Sequence, residues 1–412
     1  MVEAHTSIDK QLPERKKPVN AKSKAKLVSP PDQNLIRRSF IEKLCNTSTT
    51  TINKLEADGT IQAATKLYHG GVEYANYSIS DAAKIFHKTN PNSFRKKPDA
   101  EVIAVWSQKG GVGKSSVTQH LANTYSLIGK TLVIDMDSQG DASSLLGAKK
   151  EYDHVVDEDE VLDPSIMELI DWSTTNGDAI FAKADPETVI KKINDNLHVI
   201  QGDDDIAEIN YYMNNEPLIK RVDGEGNDVT KLVLIQEVID QLKDKYDFII
   251  IDTPPSIEVG IVNVLFASNR IVMPLEISAM SLRVMKRNIS FLQRLQSLYP
   301  AGFQWDSVVC IPNKVKGETT KKKALLKLEE RYADHDFVYL SQARLRSDQI
   351  MDKTQVEPGK TLHHMATEWG KDLKASNTTA REFMDLFWIL AHEVVGERID
   401  HFIFHTPEEL EA

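Results

Sequence analysis

Residues 101–129, EVIAVWSQKGGVGKSSVTQHLANTYSLIG, constrain the fold of this chain more than any other stretch. A short, nearly continuous apolar run is followed by glycines at 110, 111 and 113, then by a helical pattern stopped at Gly129. Strand, glycine-rich loop and helix in that order make a phosphate cradle. The glycines let backbone N–H groups converge on phosphate oxygens, and the helix N-terminus adds a favourable dipole. The usual fingerprint G-x-x-x-x-G-K-[ST] requires glycine at 108; here Gln108 stands there, followed by an additional cation, Lys109. The expected nucleotide-binding positions are Gly110, Gly111, Val112, Gly113, Lys114, Ser115 and Ser116. Lys114 would bridge β and γ oxygens, and the Ser115 hydroxyl would ligate Mg²⁺.

Further apolar runs, KTLVIDMD, NLHVIQG, YDFIIID, NRIVMPLE, DSVVCIPN and DFVYL, alternate with helical stretches. Such runs are strands buried on both faces, joined by crossover helices: a doubly wound, mostly parallel α/β sheet of the P-loop NTPase kind. Several strands end in chemistry. Asp135 closes one, with Asp137 two residues on and so expected on the same side of the pleat. A carboxylate here can bind an Mg²⁺ water or orient an attacking water. Asp252 closes another as a Walker-B carboxylate would, before the stiff turn Thr253-Pro254-Pro255. Asn313 follows a third and is placed for a purine ring. Lys316 stands where the guanine-reading pattern N-K-x-D needs an acid, so adenine, hence ATP, is favoured.

The 412 residues are long enough for two to three domains, and 41% apolar with 27% charged side chains is ordinary for a globular chain. Net charge is −11, but unevenly spread. Residues 1–100 hold 17 Lys and Arg against 10 Asp and Glu, leaving 33 against 51 for residues 101–412, balances of +7 and −18. A basic front on an acidic body points to a polyanion as the partner of the front. No run approaches the roughly 18 apolar residues of a membrane span, and no apolar segment opens the sequence as a secretory signal. Cys45 and Cys310, the only cysteines, point to a reducing compartment and exclude a cysteine-rich metal or iron–sulfur site built by one chain.

Residues 1–33 read as a basic, largely disordered segment. From 34 to 90 the pattern becomes helix, tight turn, helix and hairpin. IRRSFIEKLC places Ile36, Phe40, Ile41 and Leu44 on one helical face, and TTTINKLEADG forms a second helix ending at Gly59. TIQAATKLYHGGVEYANYS alternates around His69-Gly70-Gly71 as a hairpin, and Ser80 and Asp81 open a further helix. This is the order of a winged helix-turn-helix DNA-binding domain. Its second helix offers Thr49, Thr50, Asn53 and Lys54 to DNA, with Lys66, Tyr68 and His69 as wing contacts. Residues 91–100 are the linker, 101–400 the ATPase domain and 401–412 an acidic tail.

Deviant P-loop, DxDxQ, DTPPS and the late Asn, taken together, resemble the ParA family of partition ATPases over about residues 34–400. The longer subgroup of that family carries an N-terminal helix-turn-helix domain. The resemblance implies a slow, Mg²⁺-dependent ATPase that closes as an ATP-sandwich homodimer, binds DNA without sequence preference and forms filaments in some members. A ParB-like centromere-binding partner would stimulate hydrolysis and release. The N-terminal domain would repress its own operon. Catalytic roles fall on Lys109, which reaches the partner's phosphates, Lys114, and Asp137, which orients the hydrolytic water. Ser115, Asp135 and Asp252 are implied metal-side residues. Lys316, Lys321, Lys322, Lys323, Arg344 and Arg346 lie in the region that binds DNA. Ser138 replaces the proline common after the second Asp. The implied location is cytoplasmic and nucleoid-associated, without membrane contact.

Two other readings share these motifs. A MinD-like positioning ATPase needs a basic amphipathic C-terminal helix, whereas residues 381–395, REFMDLFWILAHEVV, read as packed against the sheet. An ATP-switched sequence-specific repressor would bind nucleotide without turnover.

Overall fold

The computed structural model describes residues 35–69, 72–91, 94–148, 164–277, 279–300, 302–313, 323, 326–328, 330, 338–343 and 386–396. The N-terminal part runs β1 (Leu35–Arg37), α1 (Arg38–Leu44), α2 (Thr49–Ala57), β2 (Thr65–His69), β3 (Val72–Ser78) and α3 (Ile79–Thr89). The expected helices and hairpin are present, with one added strand. β1 pairs antiparallel with β3, Ile36 opposite Tyr77, giving a sheet of order β1-β3-β2. Ile36 is therefore a buried strand residue and not the first position of an amphipathic helix, which starts only at Arg38. Ser48 caps α2 by accepting from the Thr51 N–H, and the helix ends before Gly59, whose φ of +76° suits glycine. The cap of α3 is Ser78 and not Ser80: its Oγ accepts from the Asp81 N–H at 3.0 Å.

The second part builds β4 (Glu101–Val105), α4 (Lys114–Tyr125), β5 (Thr131–Asp135), α5 (Asp141–Leu145), α6 (Pro186–Val189), β6 (Lys191–Lys192), β7 (Leu197–Ile200), α7 (Ile209–Asn215) and α8 (Leu234–Asp240). It continues through β8 (Phe248–Asp252), α9 (Val259–Ala267), β9 (Arg270–Glu276), α10 (Ala279–Leu298), β10 (Ser307–Asn313) and β11 (Val338–Leu340). Strand order is β11-β10-β9-β4-β8-β5-β7-β6, parallel throughout except where β6 meets β7. From β4 the chain moves outward through β5 to β7 and returns to insert β8. It then builds β9 to β11 on the other side. That reversal opens a crevice beyond the carboxyl ends of the strands, where ligands bind such sheets.

Both faces of the sheet are covered, which is why its strands read as unbroken apolar runs. Val102, Ala104, Leu132, Ile134, Ile249 and Ile251 face a core shared with α8, α9 and α10. The alternate residues Ile103, Val105, Val133 and Ile250 face α4 and the helical residues 386–395. There Phe387, Trp388, Leu390, Ala391, Val394 and Val395 are buried, and the Tyr125 hydroxyl donates to the Ala391 carbonyl at 3.0 Å. The C-terminal helix thus covers the sheet, as its sequence predicts. The N-terminal part joins that same core through Ile41, Ile52, Ile85 and Phe86. Two contacts reach across: the Phe94 ring lies 5.4 Å from that of Phe248, and the Asp195 N–H donates to Ser80 Oγ at 3.4 Å.

Candidate active site

Each motif identified in the sequence emerges at the carboxyl edge of a strand. β4 leads into the loop at 106–113, and α4 begins at Lys114. Only two glycines of the loop need left-handed backbone: Gly111 at φ +70° and Gly113 at φ +90°. At Gly113 space also matters, because a Cβ there would lie 2.5 Å from Asn313 Nδ2. That amide, at the end of β10, donates to the Val112 carbonyl at 2.7 Å. In this structure Asn313 therefore braces the cradle, a role not expected from its placement for a purine ring. Gly110 faces Pro255 of the DTPPS turn at ordinary contact distance. Ser116 is buried within α4.

Asp252, fully buried at the end of β8, is held by two hydroxyls of α4. Ser115 Oγ donates to one carboxylate oxygen at 2.8 Å and Thr118 Oγ1 to the other at 2.7 Å. Burial raises the Asp252 carboxyl above its ordinary range, and neighbouring Asp135 raises it further. Lys114 is also buried. Desolvation pushes its ammonium below the usual value, opposed by Asp252, Asp137 and Asp141. A hydroxyl and a carboxylate meeting at this distance beside a phosphate cradle are hard oxygen donors suited to Mg²⁺.

Asp135 lies opposite Asp252 in the ladder, but its oxygens serve the chain itself. One accepts from the Ser143 N–H at 2.8 Å and hydroxyl at 2.7 Å, the other from the Asp137 N–H at 3.1 Å. Burial raises this carboxyl too. Asp137 is thus beyond the strand end, in a turn folded back on Asp135, and not along one side of the pleat; its carboxylate accepts from the Gln139 N–H at 3.1 Å. Gly202, after β7, locks the turn from behind. Its N–H donates to Ser143 Oγ at 3.0 Å, and a Cβ there would strike the Asp137 carbonyl.

Lys109 is partly exposed at the loop's start, and its ammonium pairs with Glu276 at the end of β9, 2.5 Å away. Sequence reasoning missed Glu276 and Thr118. Thr118 had a signal, since it sits three residues beyond Ser115 and so on the same helix face. Beneath the loop, the Trp106 indole N–H donates to the Ser256 carbonyl at 3.1 Å, linking β4 to the DTPPS turn. Asn288 Nδ2 of α10 donates to Ser107 Oγ at 3.3 Å.

Thr49, Thr50, Asn53 and Lys54 all lie exposed on α2, with the Thr49 hydroxyl donating to Glu42. Lys66 pairs with Glu73 across the hairpin at 2.7 Å, while the Tyr68 and His69 side chains lie outside the described residues. So do Lys316, Lys321, Lys322, Arg344 and Arg346, residues 1–33 and the tail at 401–412. Among the described residues no helix is long and apolar enough to cross a membrane.

Residues 100–302 match a family model described as an AAA domain. The sporulation initiation inhibitor protein Soj of Bacillus subtilis (strain 168) is 29% identical over 203 residues, 48% of this chain and 66% of that protein. The chromosome-partitioning ATPase Soj of Treponema pallidum (strain Nichols) is 28% identical over 193 residues, 46% and 63% of the two chains. The chain therefore spans just under two thirds of the length of these relatives. Among solved structures, an ATP complex of a McdA variant from Cyanothece shares the fold with a TM-score of 0.54 at 18% identity, covering 74% of this chain and 99% of that one. With the deviant P-loop, the paired aspartates and the DTPPS turn gathered at one sheet edge, the chain is similar over just under half of its length to the Soj and ParA chromosome-partitioning proteins.

Proposed function

We propose that this chain is a Mg²⁺-dependent ATP hydrolase that works as an ATP-sandwich homodimer on DNA. The observation that carries the reading is Lys109: a second lysine at the mouth of the phosphate cradle, turned toward Glu276 while Lys114 alone enters the buried site. A cation in that position can complete a neighbour's site. There it would lower repulsion among phosphate oxygens and stabilise charge developing on transfer. Backbone N–H groups of 110–116 would cradle the phosphates and Lys114 would bridge β and γ oxygens. Ser115 and Asp252 would hold Mg²⁺, which would supply neutralising charge to the phosphates. Thr118 and Asn313 keep those groups in place. Asp137 would orient the attacking water, and Asp135 would serve it by fixing its turn.

DNA would meet the exposed polar face of α2, as operator binding and autorepression require, and the ATPase domain in its ATP-bound dimer. A ParB-like partner would stimulate turnover and release, so that repeated cycles position a DNA cargo in the cytoplasm. The ATP-switched repressor reading draws support from the core shared by the N-terminal part and the sheet, through which nucleotide state could be felt at α2. The experiment is light scattering of the full chain with ADP, ATP and a slow analogue, each with and without DNA, alongside phosphate release. ATP-dependent dimers with slow, DNA-stimulated turnover are expected. A chain that stays monomeric with ATP and Mg²⁺ would overturn the sandwich, and ATP binding without turnover would leave the switch.

A further inference from the structure

The ATPase domain and tail, residues 101–412, are strongly acidic, with 33 cationic against 51 anionic side chains. α10 departs from that composition: AMSLRVMKRNISFLQRLQSL contains Arg283, Lys286, Arg287 and Arg294 and no acid. At 3.6 residues per turn these four share an arc of about 100°. All four are exposed, and the remaining exposed positions from 283 to 297 are Ser290, Gln293 and Ser297. The opposite side, Met285, Ile289, Leu292 and Leu295, is buried against the sheet. Among the described residues none of the four cations makes an ion pair or side-chain hydrogen bond. Like charges three and four residues apart destabilise a helix, so this face is held against its own repulsion.

We infer that the outer face of α10 binds the phosphate backbone of duplex DNA without reading bases. Charge complementarity calls for a polyanion, and the company of the cations selects this one. A helix lying on a membrane needs apolar residues beside its basic ones, and a protein-docking face is anchored by aromatics; from 283 to 297 the exposed face has neither, and exposed Leu298 and Tyr299 follow only at the end of the helix, beyond the last cation. Arg and Lys interleaved with Ser and Gln are the donors that phosphates accept from. Arg283 and Arg294 are eleven residues apart, about 16 Å along the helix, roughly five phosphates of one strand at ~3.4 Å each. The buried side of α10 touches the start of the phosphate loop, through Asn288 on Ser107 and through Phe291, whose ring lies 5.8 Å from that of Trp106. The inference rests on the proposed DNA-associated ATPase but locates its contact apart from residues 316–346.

The test is fluorescence anisotropy of a random-sequence duplex with the full chain, ATP and Mg²⁺, over about 50 to 200 mM salt. The wild type is compared with Arg283→Gln/Arg287→Gln/Arg294→Gln and with the single reversal Arg287→Glu. Nucleotide affinity and ATP-dependent light scattering check that each variant is folded. The triple variant should lose about 0.9 per removed cation, ~2.7 in all, from the slope of log affinity against log salt. Arg287→Glu should weaken binding at every salt. Unchanged slope and affinity in a folded triple variant would overturn the α10 surface while leaving the DNA-dependent ATPase standing. A wild type that binds no duplex with ATP would end both. Vesicles of anionic phospholipid captured by the wild type and lost by the triple variant, with duplex binding unaffected, would also overturn it, in favour of a membrane.

Discussion

Replacing Glu276 by Gln removes the carboxylate that holds Lys109 within its own chain. If Lys109 must leave Glu276 to reach a neighbouring subunit's phosphates, that pair opposes closure and its loss should favour the dimer. Both partners are partly exposed, Lys109 at 25% and Glu276 at 37% of the side chain. A pair so placed is worth ~0.2–1 kcal/mol. Closing one sandwich breaks two such pairs, so the dimer should gain ~0.4–2 kcal/mol, an association constant about 2- to 30-fold larger. Light scattering across a titration of protein with a slow ATP analogue measures this, and ADP provides the monomer baseline. The gain must run through Lys109. In the Lys109→Ala background Glu276→Gln should change nothing, whereas a general relief of negative charge near the phosphates would survive there. A dimerisation curve for Glu276→Gln that coincides with wild type, or moves to higher protein concentration, refutes the reasoning.

Three further outcomes follow from the packing around the aspartates and the sheet edge. Thr118→Val, similar in shape, takes one of two hydroxyl donors from buried Asp252 and should cost ~1–3 kcal/mol in urea denaturation; Ser115 still reaches the other oxygen, so the fold should persist. Gly202→Ala places a Cβ against the Asp137 carbonyl and 2.9 Å from Asp135 Cγ. It should cost ~1–3 kcal/mol and slow ATP turnover by displacing Asp137, while ATP affinity changes little. His198, buried against the Tyr246 hydroxyl at 2.8 Å, has its pKa lowered from 6.5 to about 4, chiefly by desolvation. Between those values the unfolded chain binds the proton the folded one refuses, so this term is fully present above pH ~6.5 and lost as pH falls toward ~4, at most ~3 kcal/mol. In His198→Gln that component should vanish, and equal acid sensitivity in chemical denaturation of both proteins would refute it.

The strands and the phosphate loop were legible because their signals are contiguous: an apolar run ending in Asp or Asn describes a buried strand and its functional tip together. β1 was not, since three residues hold no measurable period and Ile36 also fits the helical spacing of Ile41 and Leu44. Its place is decided by Tyr77, across the sheet and forty-one residues away. Asp135 was read for its type, and only the fold shows its oxygens committed to Ser143 and the Asp137 amide. The run Lys321-Lys322-Lys323 catches the eye in a linear sequence, whereas the cations of α10 are separated by Val, Met, Phe and Leu and become a stripe only once wound at 3.6 residues per turn.

What the fold adds is the mechanical context of the loop. Residues 106 and 107 tie β4 to two neighbouring elements at once: the Trp106 indole to Ser256 in the DTPPS turn, and Ser107 to Asn288 on α10. Asn313 ties the far side of the same loop to the end of β10, directly opposite Glu276 in the ladder. Any shift of the loop on nucleotide binding would therefore meet the DTPPS turn, the basic helix and the Lys109–Glu276 pair through single side-chain contacts. None passes through flexible linkers. Packed cores have discrete arrangements and do not deform continuously, so these contacts should switch together. That is the physical reason to expect nucleotide state, Lys109 release and the exposed face of α10 to act as one transition.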